Sequence, residues 1–280
     1  MDITVLIENL GPDHLACEHG LSLHLAHRGC SILLDMGSSG SFADNARALD
    51  IDLAGVELAV LSHGHYDHAD GMRAFFAAND HAPVYLRRGA CEGYFSMRGE
   101  GQPRFVGIHR EICTDFAHRM VKVDGVYELD NGIWLVDDPA PESLADRAQH
   151  LYKKVGEDQF VPDTFSHEQS LVVEGDRGLV VFNSCCHAGV ANIAGHIART
   201  FPHKPIHALL GGFHMMGATG TDSINCSVDY IDRTARELLA IGVERLYTGH
   251  CTGMPAFELL GERLGDRLNY MRTGDRIRLE

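Results

Sequence analysis

Three times in this sequence a short apolar run that reads as a strand stops in a turn carrying histidine: Leu58 to Leu61 before His63, Gly178 to Phe182 before His187, and Arg245 to Tyr247 before His250. Loops at strand ends let side chains converge without disrupting regular elements. The repetition makes this a folded domain with a duplicated plan of strand, histidine-bearing loop and helix, and no short-period repeat or low-complexity run points to a solenoid instead.

The first half reads as strands over Thr4 to Ile7, Ser22 to Ala26 and Ser31 to Leu34, then a helix over Phe42 to Leu49. Leu58 to Leu61 is the strand that runs into the histidines. Ala69 to Ala78 follows as a helix with Met72, Phe75 and Phe76 on one face, and Pro83 to Leu86 is extended. Residues 87–122 form a loop-rich insertion, with room for a helical excursion beside the site and with scattered arginines (Arg87, Arg88, Arg98, Arg104 and Arg110 among them), and residues 137–166 form a polar connection outside the core. Between them Val126 to Leu129 and Ile133 to Val136 make a hairpin around Asp130-Asn131-Gly132.

The second half predicts a hairpin of Ser170 to Val173 and Gly178 to Phe182, with Asp176 as a turn residue, then a helix over Ala188 to Thr200. Ile206 to Leu210 is a strand ending in Gly211-Gly212-Phe213-His214. Val228 to Leu239 is an amphipathic helix with Val228, Ile231, Ala235, Leu238 and Leu239 facing inward.

His63-Gly64-His65-Tyr66-Asp67-His68 places three imidazoles and a carboxylate within six residues, between a strand and a helix. Neutral imidazole and carboxylate oxygen are good ligands for a divalent metal: zinc first, with iron and manganese as alternatives. Two histidines at i and i+2 after a strand reach one ion, and the turn through Tyr66 swings Asp67 and His68 towards a second. A solvated polar loop is the competing reading, and the flanking strand and helix argue against it.

With Ile32-Leu33-Leu34-Asp35-Met36-Gly37 before it and Thr248-Gly249-His250 near the end, the His-x-His-x-Asp-His motif resembles that of the metallo-β-lactamase superfamily over nearly the whole chain. The resemblance implies a single domain over residues 1–280 with a four-layer αββα sandwich, the metallo-β-lactamase fold. It implies that His63, His65 and His187 hold one divalent ion, that Asp67, His68 and His250 hold another, and that Asp67 is catalytic. Glu18-His19-Gly20-Leu21-Ser22, Glu168-Gln169-Ser170-Leu171, Cys185-Cys186-His187-Ala188-Gly189 and Gly211-Gly212-Phe213-His214 look like a narrower group, typified by the archaeal dihydropterin–ribofuranosylaminobenzene phosphate synthase.

One departure stands out. Many relatives bridge two metals with an Asp after a strand, whereas the matching strand here runs into Asn183-Ser184-Cys185-Cys186. Cys185 and Cys186 read first as buried core cysteines, and second as a thiolate substitute. Asp35 is expected to orient a ligand imidazole, or else to cap its turn. His214, Arg87 and Arg88 are candidates for binding an anionic substrate; for His214 a structural role weighs equally, and arginines scattered like these are more often solvated surface. The other twelve histidines, His19 and His167 among them, are assigned to surface or structural roles.

Activity is expected to be that of a metallo-hydrolase in which metal-activated water attacks a phosphoester, lactone or thioester. A transferase of the synthase type that releases pyrophosphate is the second reading, and an iron-binding redox protein or non-catalytic metal or cofactor binder the third. A formal charge of −15 disfavours extended nucleic-acid binding, and a small-molecule substrate and a possible homo-oligomer complete the expected partners. No run is long and apolar enough for a membrane span and the start lacks a signal peptide's regions, so the chain is expected in the cytoplasm, unattached to membranes. Its eight cysteines show no framework spacing and are expected to be mostly reduced.

Overall fold

The computed structural model describes residues 1–97, 102–141 and 150–280, so Arg98 and part of the polar connection lie outside the described residues. The chain divides into two compact units. The first comprises Met1–Asp124, His150–Glu168 and Arg272–Leu279, and the second Gly125–Gln149, Gln169–Met271 and Glu280.

The first unit is built on a seven-stranded sheet in the order Arg276–Arg278, Asp2–Ile7, Ser22–His27, Cys30–Leu34, Leu58–Val60, Val84–Arg87, Met120–Val123. Pairing is antiparallel as far as Cys30–Leu34 and parallel from there on. Parallel neighbours require crossovers. Here these carry the helices Ser41–Ala48 and Met72–Ala78, whose Phe42, Met72 and Phe75 bury against Leu33, Ala59 and Val84. Each such side chain contributes roughly 1.5–3 kcal/mol by leaving water.

The second unit repeats the scheme with the order Leu268–Tyr270, Arg245–Thr248, Ile206–Leu210, Gly178–Phe182, Gln169–Gly175, Ile133–Asp137, Tyr127–Asp130. Its hairpin strands pair antiparallel, and Gly178–Phe182 starts the parallel run. Helices Val190–Thr200, Val228–Ile241 and Met254–Leu264 pack Ile193, Ile197, Ile231, Leu238 and Leu260 against Val181, Leu209 and Leu246. The duplicated plan expected from the strand-end histidines is therefore present, and Asp176 and Arg177 form the hairpin turn between Gly175 and Gly178.

Several expectations are corrected. Val228 is 49% exposed and Leu239 41% exposed. The buried arc of that helix is centred on Thr234 and Leu238 and takes in Tyr230, so the two apolar residues fall beyond its edge. Residues 87–122 include the expected helical excursion, Arg110–Asp115, but Tyr94–Ser96, Arg104–Phe105, Leu151–Lys154 and Phe160–Pro162 also form a four-stranded sheet of their own where loops and a polar connection were expected. Tyr94, Val106, Leu151 and Phe165 make a small core there. Runs this short carry no detectable period, so only their pairing reveals them. Cys91 and Cys113 are joined as a disulfide, and the other six cysteines, with Cys185, Cys186 and Cys251 buried among them, are not disulfide-bonded, in keeping with mostly reduced thiols. No helix among the described residues is long and apolar enough to cross a membrane.

Candidate metal centre

In the first unit, the strand Leu58–Val60 ends at Leu61 and the next residues turn into a one-turn helix, Tyr66–Ala69, for which His65 is the extended N-cap. His63, His65, Asp67 and His68 are all buried. The ring of His63 lies 4.6 Å from that of His65 and 4.3 Å from that of His68.

Asp35 organises this group from the end of the neighbouring strand, in a left-handed backbone conformation (φ 57°) that non-glycine residues seldom adopt. Its Oδ1 accepts the Ser62 N–H at 2.7 Å, and its Oδ2 accepts the Ser62 hydroxyl at 2.7 Å while lying 2.7 Å from Nδ1 of His68. The Ser62 oxygen is 2.8 Å from Nδ1 of His63. Because Ser62 spends its proton on Asp35, its oxygen is left to accept the Nδ1–H of His63. Both His63 and His68 therefore carry a proton on Nδ1, and Nε2 is the atom each offers to a ligand.

The electrostatics suit cation binding. Burial, reinforced by the fields of His68 and His65, holds His63 well below its ordinary value; burial and the nearby His167 push His65 down to about 3. Both rings are neutral lone-pair donors at physiological pH. Burial would lower His68 too, but the carboxylates of Asp67 and Asp35 outweigh it and raise the ring to about 10. The carboxylates thus demand a positive charge where His68 stands. These donors fit a divalent ion of borderline softness.

Two groups assigned to general surface or structural roles touch this loop. His19 Nε2 is 3.3 Å from Asp67 Oδ2, while the adjacent Glu18 accepts the Ser38 and Ser39 amides at 2.8 and 3.0 Å. His167, wholly buried, accepts the Gly64 N–H on Nδ1 at 2.9 Å and is 3.0 Å from Asp163 through Nε2. A side chain at Gly64 would run into the Ala90 carbonyl, so the loop passes closely there. His65, Asp163 and His167 lie within metal-ligating reach of one another, but both nitrogens of His167 are engaged in these hydrogen bonds, which makes it a brace. No sequence spacing links residue 64 to 163 and 167. The Glu168-Gln169 motif next door was the available signal.

The second unit gathers its own strand-end loops. In the Asn183-Ser184-Cys185-Cys186 segment after the strand, Asn183 is structural: its amide donates to Asp138 and Ser170 at 2.5 and 3.0 Å, and its Oδ1 accepts the Cys186 N–H at 2.7 Å. Thr248 donates to the Gly211 carbonyl at 2.8 Å, Thr252 accepts the Phe213 N–H at 2.9 Å, and the Gly212 N–H reaches the Ser184 carbonyl at 2.9 Å. Gly211 has φ 144°, and a Cβ there would collide with the Asn183 carbonyl, so only glycine lets these loops meet. His187 and His250 are buried at this edge, and the His214 ring centre lies 4.4 Å from that of His187 with the planes tilted by 52°. Cys186, His214 and His250 all hold positive φ, a concentration of strain typical of functional loops.

Arg87 is buried at a strand end, whereas the exposed Arg88 is bound by Asp124 at 2.6 Å.

Residues 17–184 match the metallo-beta-lactamase superfamily. The chain is 22% identical, over 90% of each sequence, to the 7,8-dihydropterin-6-methyl-4-(beta-D-ribofuranosyl)-aminobenzene-5'-phosphate synthase of Methanocaldococcus jannaschii. Among solved structures it is similar to Tm1679, described as a metal-dependent hydrolase of the beta-lactamase superfamily, with 28% identity, a TM-score of 0.82, and coverage of 100% of this chain and 99% of that one. Zinc-bound PqqB from Methylobacterium extorquens shares the fold at 13% identity and a TM-score of 0.57 over the full length of both chains.

Proposed function

Because the chain belongs to the metallo-β-lactamase superfamily, we propose that it is a metal-dependent hydrolase acting in the cytoplasm on a small anionic ester: a phosphoester, lactone or thioester. The observation that carries this reading is the buried row of His63, His65, Asp67 and His68, with Asp35 and Ser62 setting the tautomers of His63 and His68. In this reading His63, His65 and His187 hold one divalent ion, zinc in the first place, and Asp67, His68 and His250 hold a second.

Ions so held supply Lewis acidity that activates water and polarises the ester or phosphoryl oxygen. The chain's own groups do the rest. Asp67, 7% exposed and close to His19, accepts the proton of the attacking water. Asp35 keeps the His68 ring from rotating, and the His167 brace fixes the backbone between His63 and His65. His214 is placed beside His187 to orient an anionic group of the substrate. The test is turnover of phosphodiester and lactone substrates before and after complete chelation. Activity that disappears and returns with added zinc supports the reading, and undiminished turnover by metal-free protein rejects it.

A second reading is favoured by the similarity to the archaeal synthase: transfer of a pterin-methyl group from its diphosphate to an arylamine ribose phosphate, with release of pyrophosphate. Here the same side chains would bind the diphosphate in place of an ester. Release of pyrophosphate dependent on both substrates distinguishes it from hydrolysis.

A further inference from the structure

We infer that Cys185 is a thiolate ligand shared by the ion positions of His187 and His250, in the place where relatives of this fold use a bridging aspartate. The inference rests on the metal-centre reading above and adds a ligand, and a bridging role, to it.

Three observations within the second unit carry it. The Cys185 Sγ lies within 4.8 Å of a ring nitrogen of His187 and within 4.8 Å of one of His250, although the two histidines come from different strand-end loops. Cys185 is 3% exposed, and its carbonyl accepts the Cys251 thiol, which ties its backbone to the His250 loop. Its neighbour Cys186 is disposed otherwise: that thiol turns back to the Asn183 carbonyl at 3.5 Å and packs in the apolar core with Val190 and Ile193. Of the two adjacent cysteines one serves packing and the other faces imidazoles. Asn183 cannot take over the bridging role, because its amide is committed to Asp138, Ser170 and the Cys186 amide.

Chemistry then narrows the metal. A thiolate is a soft, charged donor, and two ions that share one ligand repel each other less when that ligand is anionic. Imidazole with thiolate selects zinc, cobalt or iron(II) over manganese and magnesium. Binding displaces the thiol proton, so uptake of metal releases a proton from Cys185.

The experiment is loading the intact, metal-stripped protein with cobalt(II) and recording the near-ultraviolet sulfur-to-cobalt charge-transfer absorption. The wild type should show the band, Cys186→Ser should retain it, and Cys185→Ser should lose it while circular dichroism stays native. Cys185→Asp should bind cobalt without the band, since a carboxylate restores the bridge but has no sulfur. Wild-type protein that binds cobalt with no such band overturns the assignment of Cys185 and leaves the metal centre standing, and this arm needs no variant to fold. A band that survives in Cys185→Ser overturns it equally. Protein that takes up no cobalt at all overturns the metal-centre reading itself, and with it this inference.

Discussion

Oδ2 of Asp35 lies 2.7 Å from Nδ1 of His68, with both side chains wholly buried, and the same oxygen accepts the Ser62 hydroxyl that steers His63. One carboxylate therefore sets the tautomer of two proposed metal ligands. Carboxylates that hold the far nitrogen of a metal-binding imidazole typically change metal affinity by about 10–100-fold when replaced. Asp35→Asn is expected to weaken zinc binding by that factor, measured by competition with a chromogenic chelator, with the far-ultraviolet spectrum unchanged. Affinity equal to wild type would show that Asp35 serves only its turn.

The pH dependence of the metal-stripped protein should have two limbs. His65 is depressed from 6.5 to about 3 on folding, so the unfolded chain binds more protons between those values; its contribution is complete above pH 6.5 and is lost as the pH falls towards 3. His68 is raised from 6.5 to about 10, so its contribution is complete below 6.5 and is lost as the pH climbs towards 10. Melting temperature in chelator is expected to decline on both sides. His68→Gln should flatten the alkaline limb and His65→Gln the acid one, and slopes unaltered in both variants would contradict these assignments.

His167→Ala removes the acceptor of the buried Gly64 N–H, and a buried donor left without a partner costs about 1–3 kcal/mol. Urea unfolding should report a loss of that size. The His63–His65 segment should also lose rigidity, visible as faster hydrogen exchange at Gly64. A stability within about 0.5 kcal/mol of wild type would mean that the loop holds itself.

Gly211→Ala places a Cβ against the Asn183 carbonyl at a backbone angle that L-residues avoid. Strain of this kind costs of order 1–3 kcal/mol before the collision is counted. The variant should fold less stably and bind less zinc than Gly212→Ala, whose Cβ meets the Cys251 sulfur at 2.5 Å and the Ser184 carbonyl only at 3.0 Å, against a much closer approach to the Asn183 carbonyl for Gly211→Ala, and carries no positive φ. Equal melting temperatures for Gly211→Ala and wild type would show that the strand-end loops are not held as closely as described.

Much of this molecule is legible in its sequence alone. Each apolar run of a parallel strand buried on both faces, such as Ile206–Leu210, stands out because all its residues but His207 are apolar, and the turn chemistry after it is equally plain. The His63 to His68 cluster was legible for the same reason: chemistry and spacing sit in one continuous segment. Helix Val228–Ile241 was found by its period, but which edge of its apolar arc met the sheet was not, because Val228 and Leu239 lie only one step past the buried line.

What a linear pattern carries is local: strand, turn, helix and the residue types at each strand end, which together imposed a duplicated α/β plan and named most of the proposed ligands. Relations between distant segments needed the fold. The hydrogen bond from Gly64 to His167 spans 103 positions, the pairing of Cys91 with Cys113 follows no framework spacing, and the difference between Cys185 and its neighbour is one of direction. Side-chain direction and long-range contact are set by how elements pack, and packing energy is a property of surfaces brought together in space, which no count along the chain contains.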